Sequence, residues 1–160
     1  MNSVQSMLAM GALVLLSLSS LRFNTSVLEN TTAQVENKVY LTAFSLADDM
    51  IETIKQRSFD QATQNFPTGL GNLTPAGSLG PETGETYQTY NDIDDYNNYE
   101  KTVSAPHAEN YHIWCTVNYV DGADPDQDIT TQSYYKKVNI YVSSPYMSDD
   151  ISLSFVFTLK

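Results

Sequence analysis

The sequence of 160 residues is poor in cysteine and in basic residues. Cys115 is the only cysteine, so no disulfide can form within the chain. Eight Lys and Arg residues stand against 19 Asp and Glu residues, which gives a formal net charge of -11. Because nucleic-acid binding requires Lys and Arg on the surface that faces the phosphates, we predict no nucleic-acid partner.

A catalytic arrangement is also missing from the sequence. No nucleophile, base and orienting residue form a known motif, and we predict that the protein is not an enzyme. Cys115 is predicted to be a small buried side chain, since free cysteine is among the most buried residue types. His112 lies three residues away, and an odd separation on a strand places two side chains on opposite faces. Structural and binding functions are therefore favoured.

The first 21 residues contain no Asp, Glu, Lys, Arg, His or Pro. Residues 7–18 are Met, Leu, Ala, Val and Gly with a single serine. A helix that begins near Val4 is long enough to span a bilayer, where it would satisfy its own backbone hydrogen bonds. We therefore predict a hydrophobic helix for a membrane or a filament core over residues 1–24.

A cleaved secretory signal is the alternative interpretation of this apolar run. Such signals carry Lys or Arg before the run and small residues at a cleavage site after it. Here the first charged residue, Arg22, follows the run, and Ser17-Leu18-Ser19 is a poor cleavage site. We therefore expect that a basic leader is removed before Met1 and that the apolar helix is retained.

Neither glycine nor proline occurs between Leu21 and Phe59. Apolar residues recur there with spacings of three, four or seven, which places them in a stripe on one face of a helix. Most charged residues lie off this stripe. The stripe consists of Leu28, Val35, Val39, Ala43, Leu46, Met50 and Ile54. The pattern predicts one helix from about Val4 to about Phe59, in which residues 25–60 are the amphipathic continuation.

Residues 61–160 are predicted to form a globular head. The part from 61 to 110 is expected to be irregular, because Gly, Pro, Asn and Asp are frequent in it. Residues 111–160 contain three runs in which apolar and polar residues alternate, as in half-buried antiparallel strands. Packing their apolar face on the helix stripe predicts an α+β fold, with a long N-terminal helix against a C-terminal antiparallel sheet.

Acidic residues alternate in the loop between the first two predicted strands. The candidate ligands of a possible calcium ion are Asp121, Asp124, Asp126 and Asp128. Ile129 and Tyr135 stand where an EF-hand loop has its glycine and its bidentate glutamate, so a solvated acidic hairpin tip is the alternative. The acidic residues at 92, 94 and 95 are a weaker candidate. No other cofactor is predicted.

The order of these parts resembles that of type IV pilins and pilin-like proteins. The resemblance rests on residues 1–21, on the amphipathic segment 45–55 (SLADDMIETIK) and on the strand 136–142 (KKVNIYV). It implies a structural subunit of an extracellular pilus-like filament that polymerises with copies of itself through the N-terminal helix. Before assembly the subunit would be inserted in the inner membrane and would engage the pilus assembly machinery.

The resemblance also assigns roles to N-terminal residues. Pilins are N-methylated on the first residue after leader cleavage, and Met1 would be that residue. The implied filament-core residues are Met1, Gln5, Met7, Leu8, Met10, Gly11, Leu13, Val14, Leu15, Leu16, Leu18 and Leu21. Gln5 stands where pilins usually have a glutamate that neutralises a neighbouring subunit's amine, and an amide cannot cancel that charge. Many pilins also have a helix-breaking proline at the position of Arg22, and a C-terminal disulfide.

Two alternatives to a major pilin are open. A minor pilin or secretion-system pseudopilin, which initiates or caps a short filament, is favoured by Gln5. A single-pass anchored binding domain that never polymerises belongs to a different class. The tyrosine-rich residues 87–99 are expected to pack against the next subunit or to form an adhesive surface. Asn72 matches the glycosylation pattern in a loop predicted to be exposed.

Overall fold

The computed structural model describes residues 2–65 and 68–159. Its regular elements are the helix α1 (Ser3–Ile54) and the strands β1 (Glu100–Ala105), β2 (Ala108–Tyr119), β3 (Tyr135–Ser143) and β4 (Ile151–Thr158). The chain divides into two compact units, Met1–Lys38 and Val39–Lys160. The second unit confirms the predicted α+β fold, because the end of α1 packs there on a four-stranded antiparallel sheet.

The second half of α1 buries one face. Its buried residues are Val39, Ala43, Ala47, Met50, Ile51 and Ile54. Their spacing of mostly three and four residues places them on one side of the helix, as the apolar stripe predicted. Leu28 and Val35, which belong to the same predicted stripe, are exposed. Burial of the stripe therefore begins at Val39.

The helix ends at Ile54, before the predicted end near Phe59. The backbone carbonyl of Phe59 accepts a hydrogen bond of 2.8 Å from Lys136 Nζ. Asp60 has an extended backbone, with φ -163° and ψ 151°, and its side chain caps the 3-10 turn Gln61–Thr63. Because these contacts require residues 55–60 to leave the helix, tertiary structure overrides the local helical preference.

The sheet is an antiparallel meander in which each strand pairs with the next in the sequence. Cys115 on β2 lies opposite Ile140 on β3, and Ile140 lies opposite Leu153 on β4. Alternate residues of β2 and β3 are buried, as the period of two requires. Cys115 is fully buried among them, which confirms its predicted place in the core.

Strand β1 lies within residues 61–110, which were predicted to be irregular. Its residues are at most half-buried, so its sequence lacks the strong apolar alternation that identifies a strand. It pairs with β2 across a tight turn in which His107 has a positive φ of 75°. The described residues from Gln61 to Tyr99 contain only short 3-10 turns and an isolated bridge at Asp92.

This irregular segment nevertheless contributes to the core. Its buried apolar side chains are Leu73, Tyr90, Ile93 and Tyr96, which pack with the second half of α1 and with the sheet. Asn97 supports the same arrangement, because its Oδ1 accepts a hydrogen bond of 3.0 Å from the backbone N–H of Val117. Residues 70–97 are thus a structural layer of the head.

Candidate functional site

The first candidate site is the exposed surface of α1 before Val39. Its large apolar side chains from Val4 to Phe23 retain 53 to 75% of their accessible surface. This helix contains a stretch that is long enough and apolar enough to cross a membrane, and none of that stretch is buried within the chain. Of the predicted filament-core residues, those from Gln5 to Leu21 lie in this segment, whereas Met1 lies outside the described residues.

Two hydroxyl groups of this segment form hydrogen bonds inside the helix. Ser17 Oγ donates a hydrogen bond of 2.9 Å to the carbonyl of Leu13, and Thr25 Oγ1 donates one of 3.0 Å to the carbonyl of Leu21. Hydroxyls bonded to the preceding turn need no water or external partner. These two hydroxyl groups are therefore compatible with apolar surroundings.

The second candidate site is a buried ion cluster around Lys136. Lys136 Nζ donates hydrogen bonds of 2.8 Å to Asp60 Oδ2 and to the carbonyl of Phe59, and a third to Asp94 Oδ1. Lys136, Asp60 and Asp94 each retain at most 1% of their accessible surface. The ammonium group also lies 4.5 Å from the ring centroid of Phe59 and 5.1 Å from that of Tyr119. Its three hydrogens and its charge are thus compensated inside the head.

The two carboxylates of this cluster have different electrostatic properties. Burial alone would raise the pKa of Asp60, but hydrogen bonding and Coulomb attraction to Lys136, together with two backbone N–H groups, lower that pKa overall. At Asp94 burial outweighs the attraction of Lys136 and raises the pKa to about 6. Asp60 therefore keeps its negative charge to a lower pH than Asp94 does.

Sequence analysis missed Lys136 and Asp60. Lys136 occupies an inward position of β3, with the same parity as Val138 and Ile140. A lysine at a core position of an otherwise apolar face indicates a buried counter-charge, and this signal could have revealed the cluster. Asp60 offered no comparable signal, because it lies in the polar segment that follows the helix, where aspartate is usually exposed.

The acidic residues at 92, 94 and 95 are buried rather than exposed. Asp92 Oδ1 accepts hydrogen bonds from the backbone N–H groups of Asp94 and Asp95. Burial and then the neighbouring carboxylates raise the pKa of Asp92 to about 8. In the part of the chain that the structure describes, one group of acidic side chains brings three ligand oxygens together, and it consists of Glu82, Glu85 and Asp95.

The acidic loop predicted as a calcium site does not gather its carboxylates in this way. Asp126 pairs with Lys137 at 2.8 Å, and Asp128 accepts a hydrogen bond of 2.9 Å from Asn118 Nδ2. Asp121 and Asp124 accept hydrogen bonds from backbone N–H groups two residues further along the loop. Each carboxylate thus has a local partner, as in the alternative of a solvated hairpin tip, and calcium binding there stays a prediction.

The tyrosine-rich segment and Asn72 were the remaining predicted features. Tyr87 and Tyr99 stack with ring centroids 4.8 Å apart, and Tyr90 meets Tyr96 edge to face at 5.3 Å. Tyr90 and Tyr96 are buried within the chain, so they are not available to another subunit or to a ligand. Asn72 is exposed at the end of a 3-10 turn, where a glycan could be attached.

No protein-family model matches the chain, and searches of curated proteins and of solved structures find no significant match. Function must therefore be inferred from the geometry of the chain itself. The exposed apolar helix and the folded acidic head are the two features from which this inference starts.

Proposed function

We propose that the protein is a structural subunit of an extracellular type IV pilus-like filament. In this proposal the subunit is inserted in the membrane by its N-terminal helix before assembly. It then polymerises by packing the same helix against those of its copies. The observation that carries the proposal is a helix of 52 residues whose apolar first part is unburied within the chain, while its second part is built into a folded head.

Physical chemistry supports helix packing as the driving force of assembly. Lipid tails satisfy apolar side chains as well as protein does, so helices that leave a membrane associate through van der Waals contacts and close approach. Gly11 lies within the apolar segment, and the space beside its Cα is open, since a Cβ placed there would meet no atom within 4 Å. A second helix could approach closely at this point.

The polar groups near the start of the helix bear on the kind of filament. Gln5 accepts a hydrogen bond of 3.4 Å from the backbone N–H of Asn2, so its amide is engaged within its own chain. An uncharged residue here would compensate a neighbouring subunit's amine less well than a glutamate would. This feature favours a minor pilin or pseudopilin as the second candidate function, within the same assembly mechanism.

Electron microscopy of material sheared from the producing cells tests the proposal, together with mass spectrometry of the protein's N-terminus. We expect thin filaments that contain this chain with a methylated Met1. A chain that starts at Thr25 should be soluble and monomeric, because it lacks the exposed apolar segment. It should still fold, because it retains the buried face that begins at Val39. The proposal would be wrong if the truncated chain still formed filaments. An unmethylated chain found only in detergent extracts, without filaments, would instead indicate an anchored binding domain.

A further inference from the structure

Three carboxylates converge in the irregular layer of the head. Glu82 and Glu85 flank a turn in which the N–H of Glu85 donates to the carbonyl of Glu82 at 3.0 Å. Asp95 lies in the 3-10 turn Asp94–Tyr96. One oxygen from each carboxylate lies within 4.8 Å of the other two. Residues far apart in this loop therefore bring negative charge to one point.

Three of the six oxygens of these carboxylates have hydrogen-bond donors. Asp95 Oδ2 accepts from the backbone N–H groups of Asn91 and Asp92, at 2.7 and 3.1 Å. Glu85 accepts from Asn91 Nδ2 at 2.9 Å and from the N–H of Glu82 at 3.2 Å. These donors fix the orientation of the Asp95 and Glu85 carboxylates.

Two oxygens of the group are buried without a hydrogen-bond donor among the residues that the structure describes. They are Glu82 Oε2 and Asp95 Oδ1. The side chain of Asp95 is fully buried, so water does not reach its free oxygen from the surface. A buried carboxylate oxygen without a partner is costly, which makes these two atoms an indication of a missing ligand.

The described residues also supply no positive charge to this group. Their ion pairs leave Glu82, Glu85 and Asp95 without a Lys, Arg or His within 4.0 Å. The three hydrogens of Lys136, the buried lysine of the head, are used by Asp60, Asp94 and the carbonyl of Phe59. Glu82 and Glu85 are half-buried and Asp95 is fully buried, so the buried oxygens of the group have no counter-charge close to them among the described residues.

We propose that Glu82, Glu85 and Asp95 form a binding site for a calcium ion. The ligand set contains only oxygen, which suits hard cations and disfavours zinc or copper. Two oxygens that are each about 2.4 Å from one calcium ion can be at most about 4.8 Å apart, and the three convergent oxygens satisfy this limit. The site lies on irregular loops, and calcium accepts such geometry more readily than magnesium, which demands a near-ideal octahedron.

A bound ion would connect two parts of the loop that otherwise repel each other. It would hold the turn at Glu82 and Glu85 against the turn that carries Asp95. Because Asp94 belongs to the same turn and contacts Lys136, calcium would also stabilise the buried ion cluster. We therefore expect calcium to raise the melting temperature of the head.

The test is isothermal titration calorimetry with calcium chloride on the full chain in detergent, after removal of divalent ions with a chelator. We expect one calcium ion per chain, and a higher melting temperature with calcium than with the chelator. Magnesium at the same concentration should produce a smaller shift. Glu82→Gln retains the shape of the side chain but removes a ligand charge, and it should weaken calcium binding about tenfold or more.

The control variant removes acidic residues from the other candidate loop. Asp126→Asn combined with Asp128→Asn should leave the affinity unchanged, since these residues are not part of the convergent group. Circular dichroism verifies folding, and Glu85→Gln replaces Glu82→Gln if the latter variant does not fold. The absence of calcium binding by the full chain would overturn the proposal. So would binding that survives Glu82→Gln and Glu85→Gln but is lost in the loop variant.

Discussion

The chain exposes large apolar side chains in the first part of α1, whereas its head buries charged ones. Leu15 and Met7 retain 70 and 75% of their surface, but Lys136 and Asp60 retain none. An apolar side chain is unfavourable in water, and a charged side chain without a partner is unfavourable in a core. The head supplies a counter-charge to Asp60 from its own sequence. The apolar segment of the helix is not covered by the described part of the chain, and in the proposed filament lipid and then other helices would cover it.

The largest effect should come from placing a charge in the exposed apolar segment. Leu15→Asp introduces a carboxylate that costs about 2.5 to 3.5 kcal/mol at the centre of a membrane helix. In a polymer this cost recurs in every subunit, so we expect filaments to be absent from sheared material in electron micrographs. Thr32→Asp, on the exposed helix beyond the apolar run, is the matched control and should still assemble. Assembly of the Leu15→Asp variant would show that this surface is not the filament core.

The next prediction concerns the buried side of the comparison. Lys136→Met leaves Asp60 and Asp94 without their shared cation, and removal of one partner of a buried pair costs about 3 to 5 kcal/mol. Lys137→Met is the matched control on the same strand. It removes a pair whose carboxylate, on Asp126, is 94% exposed, and such pairs contribute little to stability. Denaturant unfolding gives the free energy of unfolding of both variants. Equal losses would contradict the assignment of Lys136 to a buried ion cluster.

Truncation of apolar side chains compares the two parts of α1 directly. Ile54 is fully buried, and Ile54→Ala should lower the free energy of unfolding by about 2 to 5 kcal/mol. Leu15→Ala removes a similar volume from an exposed position and should change the unfolding of the head by about 0.5 kcal/mol or less. Unfolding of detergent-solubilised protein, followed by the fluorescence of Trp114, distinguishes these outcomes. A large loss for Leu15→Ala would mean that the apolar segment stabilises the head.

The smallest predicted effect is a dependence of stability on acid pH. Because the pKa of Asp60 is lower in the folded chain than its ordinary value of 3.8, Asp60 stabilises the fold above pH 3.8. This contribution is lost as the pH falls through the lowered pKa. The stability difference between the native chain and Asp60→Asn should therefore shrink when the pH falls below 3.8. A difference that stays constant in this range would contradict a charged Asp60 in the cluster.

The sequence was sufficient for the elements that follow a simple periodicity. The start of α1, its buried stripe from Val39 onward and strands β2 to β4 were predicted, because burial on one face leaves a period of about 3.6 or 2 residues. Strand β1 lacks this signal, since Val103 and Ala105 are the only apolar residues in it. The end of α1 at Ile54 depends on contacts of Phe59 and Asp60 with β3, which no local pattern records.

The candidate sites show the same division. The exposed apolar helix could be predicted, because membrane-compatible segments are defined by composition. The convergence of Glu82, Glu85 and Asp95 depends on the path of an irregular loop, and this path is set by packing of residues such as Ile93 and Tyr96. Acidic spacing alone favoured Asp124, Asp126 and Asp128, whose carboxylates have local partners in the structure.

The contact between Asp60 and Lys136 joins residues that are 76 positions apart. The meander of β1 to β4 needs only connections between neighbouring strands, and hairpins of this kind form in about 1 to 10 μs. We expect the sheet to form early, and we expect the ion cluster to form only after the irregular segment has packed against the helix and the sheet. Contacts that form after the transition state mainly slow unfolding. The buried cluster would then mainly lower the unfolding rate of the head, and it would have little effect on the folding rate.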